Sequence, residues 1–234
     1  MTSWKILLTA LLPVAILVYY IYHKDKKFPE PTGQLVKAFI FGLLSVPVSL
    51  CMSIPLGLVG AYPEESTTIL GSVSTAFWGA AIPEETAKFF MLWLLLRKNP
   101  YFNEKMDGIV YAVCVSLGFA ALENIMYLFS NKEAYMSVGI ARAIFSIPGH
   151  FCFGVLMGYY YSLAKFYPKV PKKNKVLILV APVIVHGLYD TILFIINITP
   201  AISSVLFIIF MVFCHKMWKY GSKSIREHLN RDGV

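Results

Sequence analysis

The stretch AAIPEETAKFF, residues 80–90, places two carboxylates and an ammonium inside a run that is otherwise apolar. The surrounding run, residues 68–96, is long enough to cross the roughly 30 Å hydrocarbon core of a bilayer as a helix. A charge at that depth costs several kcal/mol, so such residues normally face the interior of a bundle, where they pair or do chemistry. The stretch therefore predicts a membrane helix that carries a polar function.

The rest of the chain repeats the apolar pattern. Of its 234 residues, 57% are hydrophobic and only 15% are charged. This composition predicts an all-α fold, a polytopic membrane helix bundle with about seven transmembrane helices. The apolar runs cover about 4–22, 36–61, 68–96, 108–129, 136–163, 175–197 and 200–217. We expect a first transmembrane helix at 1–22, a membrane core at 23–217 and a short basic tail at 218–234.

The basic residues are distributed unevenly between the two sides of the predicted membrane domain. Sixteen of the 21 lysines and arginines fall in segments 23–27, 97–105, 165–175 and 215–234, which all lie on one side of a seven-helix map. The positive-inside rule makes that side the cytoplasm, so the amino terminus is predicted outside and the carboxyl terminus inside. The net charge of +8 then reflects contact with the lipid bilayer, and no nucleic acid is expected as a partner.

Eight ionisable residues remain once the loops and the ends of the predicted spans are set aside. Four of them, on four separate helices, lie at similar depths. At 1.5 Å of rise per residue, Glu84, Glu123, His150 and His186 are about 16 to 24 Å along their helices from the nearest charged residue at the predicted cytoplasmic end. This layer lies at or just outside the midplane. The eight residues are Glu84, Glu85, Lys88, Glu123, Arg142, His150, His186 and Asp190.

Helical spacing groups some of these side chains. Glu84 and Lys88 are four residues apart, as are His186 and Asp190, so each pair shares one helix face. Lys88 is expected to neutralise one carboxylate and leave the other free, because Glu85 points about 100° away from Glu84. Asp190 is expected to hold the His186 ring or to bind beside it.

Supporting residues and helix breakers surround the layer. Arg142 is expected to pair with Glu123 or Asp190, or to grip a substrate carbonyl, and Asn124 adjoins Glu123 as a supporting polar group. Prolines precede the polar residues at 83, 148 and 182. Each proline removes a helix hydrogen bond, which a membrane helix tolerates where it lines a wet cavity.

Four motifs together resemble the PrsW family of intramembrane proteases: EETAK (84–88), GFAALEN (118–124), ARAIFSIPGHFCFG (141–154) and HGLYD (186–190). The likeness extends from about Trp78 to Asp190. More distantly, the chain is similar to the CAAX prenyl-protease and bacteriocin-processing membrane peptidases. Their last motif is His-x-x-x-Asn, whereas this chain has Asp190 at the final position.

The resemblance implies site-1 cleavage of a single-pass anti-sigma factor near the extracytoplasmic side of a bacterial cytoplasmic membrane. It further implies that Glu84, Glu85 and a histidine matching His150 or His186 are required, and that residues 23–217 form a protease core. The sequence does not indicate an oligomeric state.

Amide hydrolysis in this layer has two possible chemistries. In the first, a zinc ion is held by His150, His186 and either Glu123 or Asp190, and one of the paired glutamates deprotonates a water. In the second, no metal is present; a buried glutamate oriented with His150 activates the water, and His186 receives the oxyanion. The acidic Asp190 in place of asparagine favours a cation.

Two other classes of protein also place charges inside a membrane. An ion-coupled transporter would combine buried carboxylates with broken helices, although carriers usually show paired repeats that are not visible here. A non-catalytic scaffold that binds single-pass proteins is the third class. Loss of a cleavage product, loss of uptake, or no phenotype on mutating Glu84 and Glu85 would separate the three.

Overall fold

A computed structural model describes residues 3–167 and 172–233, and every regular element in these ranges is a helix. Parts of the predicted first helix (1–2), membrane core (168–171) and basic tail (234) lie outside the described residues. The α-helices are α1 (Ser3–Lys24), α2 (Thr32–Leu58), α3 (Ile69–Ser74), α4 (Ile82–Leu96), α5 (Lys105–Ser130), α6 (Tyr135–Ala141), α7 (Ile147–Phe166), α8 (Lys172–Ile198) and α9 (Ser203–Arg231).

Six helical segments in the described ranges are long and apolar enough to cross a membrane. The all-α, multi-pass fold predicted from the sequence is therefore confirmed. The predicted third run is helical over 69–96 but is not among the six, and it contains the charged residues of the opening stretch. The count of seven and the orientation remain predictions. The six segments are Ser3–Lys24, Thr32–Leu58, Lys105–Ser130, Tyr135–Phe166, Asn174–Ile198 and Pro200–Arg231.

Helix α5 is the centre of the bundle. It is buried on nearly every face and packs against α1, α2 and α7. Two of these crossings depend on glycine, because a Cβ at Gly42 would overlap the backbone of Gly118, and a Cβ at Gly158 would overlap that of Gly108. Small residues let membrane helices approach closely enough for their backbones to touch.

The outer helices present apolar side chains to the surroundings. Leu8 and Leu12 on α1, and Ile208 and Val212 on α9, are all exposed although they are large and hydrophobic. In water such surfaces would be costly, whereas in a bilayer they contact lipid chains. The exposed faces therefore fit a protein whose solvent is the membrane.

Two π-helical turns interrupt the helices that carry the polar layer. One spans Thr75–Ala81 just before α4, and the other spans Arg142–Ser146 just before α7. Each precedes a proline at the second position of the next helix, Pro83 or Pro148. A proline ring crowds the carbonyl four residues earlier and cannot donate a hydrogen bond, so the preceding turn widens. The wide turns set the direction in which the following polar residues point.

Candidate active site

A cavity of about 270 Å³ lies between α4, α5, α7 and α8 and is bordered by the π-helical turn at Arg142–Ser146. Six of the eight predicted intramembrane residues line it, and the other two contact lining residues from behind. The residues that line it are Glu84, Glu123, Arg142, His150, His186 and Asp190. The structure thus brings together side chains that are up to about 100 residues apart in the chain.

The two adjacent glutamates occupy different environments. Glu84 faces the cavity, whereas the Glu85 side chain is fully buried behind it. Lys88, which is 1% exposed, contacts both carboxylates, at 2.8 Å from Glu85 Oε1 and 3.3 Å from Glu84 Oε2. The ammonium also lies 4.0 Å from the centre of the Phe119 ring. Lys88 therefore binds Glu85 more closely and leaves Glu84 accessible to the cavity.

His150 is held between an ammonium and a carboxylate. Lys88 Nζ lies 3.2 Å from Nδ1 of His150, and Nε2 of the same ring lies 3.0 Å from Glu123 Oε2. An ammonium can only donate, so Nδ1 accepts and the ring proton lies on Nε2. Ser116 fixes the backbone at this point by donating to the carbonyl of His150 at 2.7 Å. His150 consequently presents an N–H donor to Glu123.

Arg142 contacts the same carboxylate oxygen of Glu123 as His150 does. Its Nη2 donates to Glu123 Oε2 and its Nε donates to Asn124 Oδ1, both at 2.6 Å. Asn124 in turn donates to the carbonyl of Ala10, which links this group to α1. The guanidinium lies 4.0 Å from the centre of the Tyr127 ring. Of the two partners expected from the sequence, the structure pairs Arg142 with Glu123.

His186 lies between two carboxylates. Its Nδ1 is 2.9 Å from Glu85 Oε1, and its Nε2 is 3.2 Å from Asp190 Oδ2. Phe153 stacks on the ring at 4.5 Å and fixes its plane. A neutral imidazole can donate to only one of these carboxylates, so the other contact needs a second proton or a cation.

The charge balance and the donor atoms fit a divalent cation. Four carboxylates at the site face two permanent cations, Lys88 and Arg142, which leaves an excess of two negative charges when both histidines are neutral. Glu85 Oε2 is buried and has no hydrogen-bond partner among the described residues. Donor atoms within 4.8 Å of one another form two groups, Glu84 with Glu123 and His150, and Glu84 with Glu85 and His186. Glu84 belongs to both.

Several contacts at the site do not follow from the sequence pattern. The contact between Lys88 and His150 joins residues 62 positions apart. The aromatic residues beside the histidines look in the sequence like ordinary apolar residues of a membrane helix. Phe153 lies three residues after His150 and could have been noted as a neighbour one turn along the helix. The side of each helix that turns inward is set by packing, which a single sequence does not show.

Comparison with known proteins agrees with this geometry. Residues 30–216 match the family described as PrsW family intramembrane metalloprotease, and this span contains every residue that lines the cavity. A family of metalloproteases is consistent with a metal cofactor at this site. No solved structure gives a significant match to the chain.

Curated relatives give the same family along most of the chain. The chain is 33% identical to Protease PrsW of Clostridioides difficile strain 630, over 95% of this chain and 91% of that protein. It is 37% identical to Protease PrsW of Oceanobacillus iheyensis, over 81% and 83%, and 32% identical to that of Bacillus subtilis strain 168, over 96% and 95%. The chain is therefore a multi-pass membrane enzyme that belongs to the PrsW family of intramembrane metalloproteases.

Proposed function

We propose that the cavity binds a zinc ion and hydrolyses a peptide bond of a single-pass membrane protein near the extracytoplasmic side. The observation that carries the proposal is the excess of carboxylate over permanent cation around one cavity, with two histidines at its wall. Low-dielectric surroundings make uncompensated charge costly, so a divalent ion stabilises this arrangement. Nitrogen and oxygen donors together suit zinc.

We assign the ion to Glu84 and His186, which share one of the two donor groups, and to Asp190, which lies beside Nε2 of His186. Asp190 lies beside Nε2 of His186 and faces the cavity, whereas Glu85 lies beside Nδ1 and is sealed behind it against Lys88. With Nε2 binding the ion, Nδ1–H donates to Glu85, as a metal-bound histidine commonly does to a carboxylate. Glu85 is then a positioning residue for His186.

This assignment differs from the sequence expectation for His150 and Glu123 as metal ligands. A metal on Nε2 of His150 would require the proton on Nδ1, where Lys88 donates. Glu123 is already bound by Arg142 and by His150. We assign Glu123 to proton transfer and His150 to the positioning of Glu123 instead, and this leaves the paired glutamates as ligand and positioning residue.

The proton path runs through Glu123. Glu123 takes one proton from the attacking water and gives that proton to the leaving nitrogen as the C–N bond breaks. The Nε2–H of His150, 3.0 Å from Glu123 Oε2, keeps its proton throughout and holds the carboxylate in position. The products are a carboxylic acid and an amine, and no proton is left on the enzyme.

Two further groups complete the chemistry. A bound zinc ion supplies a Lewis acid that makes a water more acidic. Arg142 uses two contacts for Glu123 and Asn124, which leaves further N–H groups to donate to the developing oxyanion at the cavity. Its backbone lies in the wide turn before α7, which aims it at the cavity.

The proposed substrate is an anti-sigma factor cut at site 1, as the family resemblance implies. Support comes from the position of the cavity along α5. Glu123 lies 16 residues after Asp107, about 24 Å along the helix axis, so the cavity is far from the predicted cytoplasmic end. A cut made there would fall near the outer interface.

Metal analysis of purified variants tests the assignment. Glu84→Gln, His186→Asn and Asp190→Asn should each lose most bound zinc, whereas Glu123→Gln should keep the zinc and lose cleavage. Glu64→Gln, at an exposed loop position, serves as the control that keeps both. Full zinc content in the three ligand variants would refute the assignment, and cleavage by metal-free protein would refute zinc catalysis.

Co-expression tests the substrate. The enzyme or its Glu123→Gln variant is expressed with single-pass anti-sigma factors that carry tags at both ends, and new termini are mapped by mass spectrometry. The expected result is a cut within or just beyond the outer end of the substrate helix, only with the active enzyme. Cleavage confined to the cytoplasmic end would refute the proposed side.

A further inference from the structure

A second acidic cluster lies at the opposite end of α5 from the cavity. Asp25 follows α1, Glu104 caps the amino end of α5, and Asp107 lies in the first turn of α5. One oxygen from each of these carboxylates lies within 4.8 Å of the other two. The cluster joins segments about 80 residues apart in sequence, so local helix propensity does not explain it.

Each of the three carboxylates has a buried oxygen with no hydrogen-bond partner among the described residues. These oxygens are Asp25 Oδ2, Glu104 Oε2 and Asp107 Oδ1. Asp25 is only 3% exposed and Asp107 only 1% exposed. Buried polar atoms are normally paired, and three neighbouring carboxylates that each keep an unpaired buried oxygen call for a common partner.

The capping box holds two of these groups in place. Asp107 Oδ2 accepts from the backbone N–H groups of Asn103 and Glu104 at 2.9 and 2.7 Å, and the Glu104 side chain accepts from the backbone of Asp107. One carboxylate oxygen of each side chain is therefore held by the helix cap. The other oxygen of each side chain, Glu104 Oε2 or Asp107 Oδ1, has no hydrogen-bond partner among the described residues.

Nearby basic side chains in the described ranges are engaged with other acceptors. Lys105 Nζ pairs with Asp232 at 2.8 Å, Lys27 Nζ donates to the carbonyl of Gly233 at 2.6 Å, and Lys165 donates to the carbonyl of Phe102. The protein's own groups thus leave the cluster short of positive charge.

We propose that Asp25, Glu104 and Asp107 bind a hard divalent cation, Mg²⁺ or Ca²⁺, at the end of the bundle remote from the active site. The donors are oxygens only, which suits these ions and distinguishes the site from the histidine-containing cavity. The ion ties the end of α1 to the start of α5. Its neighbour Asp232, which binds the backbone N–H groups of Lys105 and Met106, brings the end of α9 to the same place.

The test uses full-length protein in detergent, with Mn²⁺ as a paramagnetic probe for the oxygen site. A Glu84→Gln background removes a ligand of the catalytic ion, so that only the second site remains to be counted. We expect about one Mn²⁺ per chain, displaced by Mg²⁺ or Ca²⁺, and at least about a tenfold loss of affinity in Asp25→Asn. Competition by the two ions then shows which binds more tightly.

A stability measurement separates loss of the ion from loss of the fold. Mg²⁺ or Ca²⁺ should raise the thermal midpoint of the Glu84→Gln protein, and the rise should disappear in Glu84→Gln/Asp25→Asn but not in the control Glu84→Gln/Glu64→Gln. Unchanged Mn²⁺ affinity in Asp25→Asn would overturn the proposal. So would an absence of Mn²⁺ binding in the folded Glu84→Gln protein, which would show that the carboxyl groups share protons instead. Neither result depends on peptide cleavage, so the proposed function is tested separately.

Discussion

Lys88 Nζ lies 3.2 Å from His150 Nδ1 and 2.8 Å from Glu85 Oε1, so one buried ammonium joins the two histidine groups of the cavity. Through Glu85 it reaches His186, and through His150 it reaches Glu123. From the sequence, Lys88 is expected only as the partner of a glutamate. In the structure it contacts both the Glu85–His186 pair and the His150–Glu123 pair. Its ammonium also fixes the position of the ring proton on His150.

Replacing Lys88 by methionine should lower cleavage at least about tenfold while bound zinc is largely retained. The physical reason is that His150 would no longer be held with its proton on Nε2. Loss of the ammonium should also cost roughly 3 to 5 kcal/mol of stability, because the buried Glu85 carboxylate loses its counter-charge. Cleavage is measured with the tagged substrate and stability by thermal unfolding in detergent. Lys37→Met, at an exposed position on α2, is the matched control, and equal activity in the two variants would contradict the role of Lys88.

Arg142→Lys should lower the rate of cleavage at least about tenfold although the charge is preserved. The guanidinium donates to Glu123 and Asn124 from two different nitrogens, and one ammonium cannot reproduce both directions. Single-turnover cleavage rates are the appropriate measurement, with zinc content checked in parallel. A lysine variant as active as the parent would show that only charge is needed at this position.

Gly158→Ala should destabilise the bundle by about 1 to 3 kcal/mol because the new Cβ would overlap the backbone of Gly108 and push α7 away from α5. Gly33→Ala is its matched control, since a Cβ at that helical position meets nothing within 4 Å. The control should be neutral or stabilising by up to about 1 kcal/mol. Thermal unfolding in one detergent compares the two. A smaller loss for Gly158→Ala than for Gly33→Ala would contradict the close crossing.

Treatment with a strong chelator should abolish cleavage, and added Zn²⁺ should restore it. Removal of the ion leaves the excess carboxylate charge of the cavity uncompensated, so the thermal midpoint should fall as well. In buffer without Mg²⁺ or Ca²⁺, the thermal midpoint of the Glu84→Gln variant should change little on chelation, because this variant lacks a proposed zinc ligand before treatment. Cleavage that survives complete removal of metal would favour the metal-free alternative.

The sequence predicted the members of the polar layer better than their contacts. Counting residues from the basic loops placed Glu84, Glu123, His150 and His186 at one depth, and the i,i+4 rule paired His186 with Asp190, because rise and turn angle are properties of the helix itself. The contact between Lys88 and His150 depends on how separate helices are rotated against each other. That rotation follows from glycine crossings and wide turns, which no single helix encodes.

The cluster around Asp25 was missed for a related reason. Glu104 and Asp107 form a recognisable cap, but Asp25 lies in a loop that resembles any basic, hydrated connection in sequence. Its burial arises only when the end of α1 folds against the start of α5. The many lysines around Asp25 therefore gave no indication in the sequence that this aspartate belongs to a buried acidic cluster.

The widened turn at Thr75–Ala81 has an implication for chain length. A π turn already accommodates one residue more than an α turn, so a further single-residue insertion there, such as an alanine after Ala80, could not be absorbed and would swing Glu84 by about 100° around the helix axis. The carboxylate would leave the cavity with no substitution at any polar residue. A one-residue insertion in this short segment should accordingly inactivate the enzyme while leaving it inserted in the membrane, whereas a one-residue deletion, which closes the turn to regular α-helix, should be better tolerated.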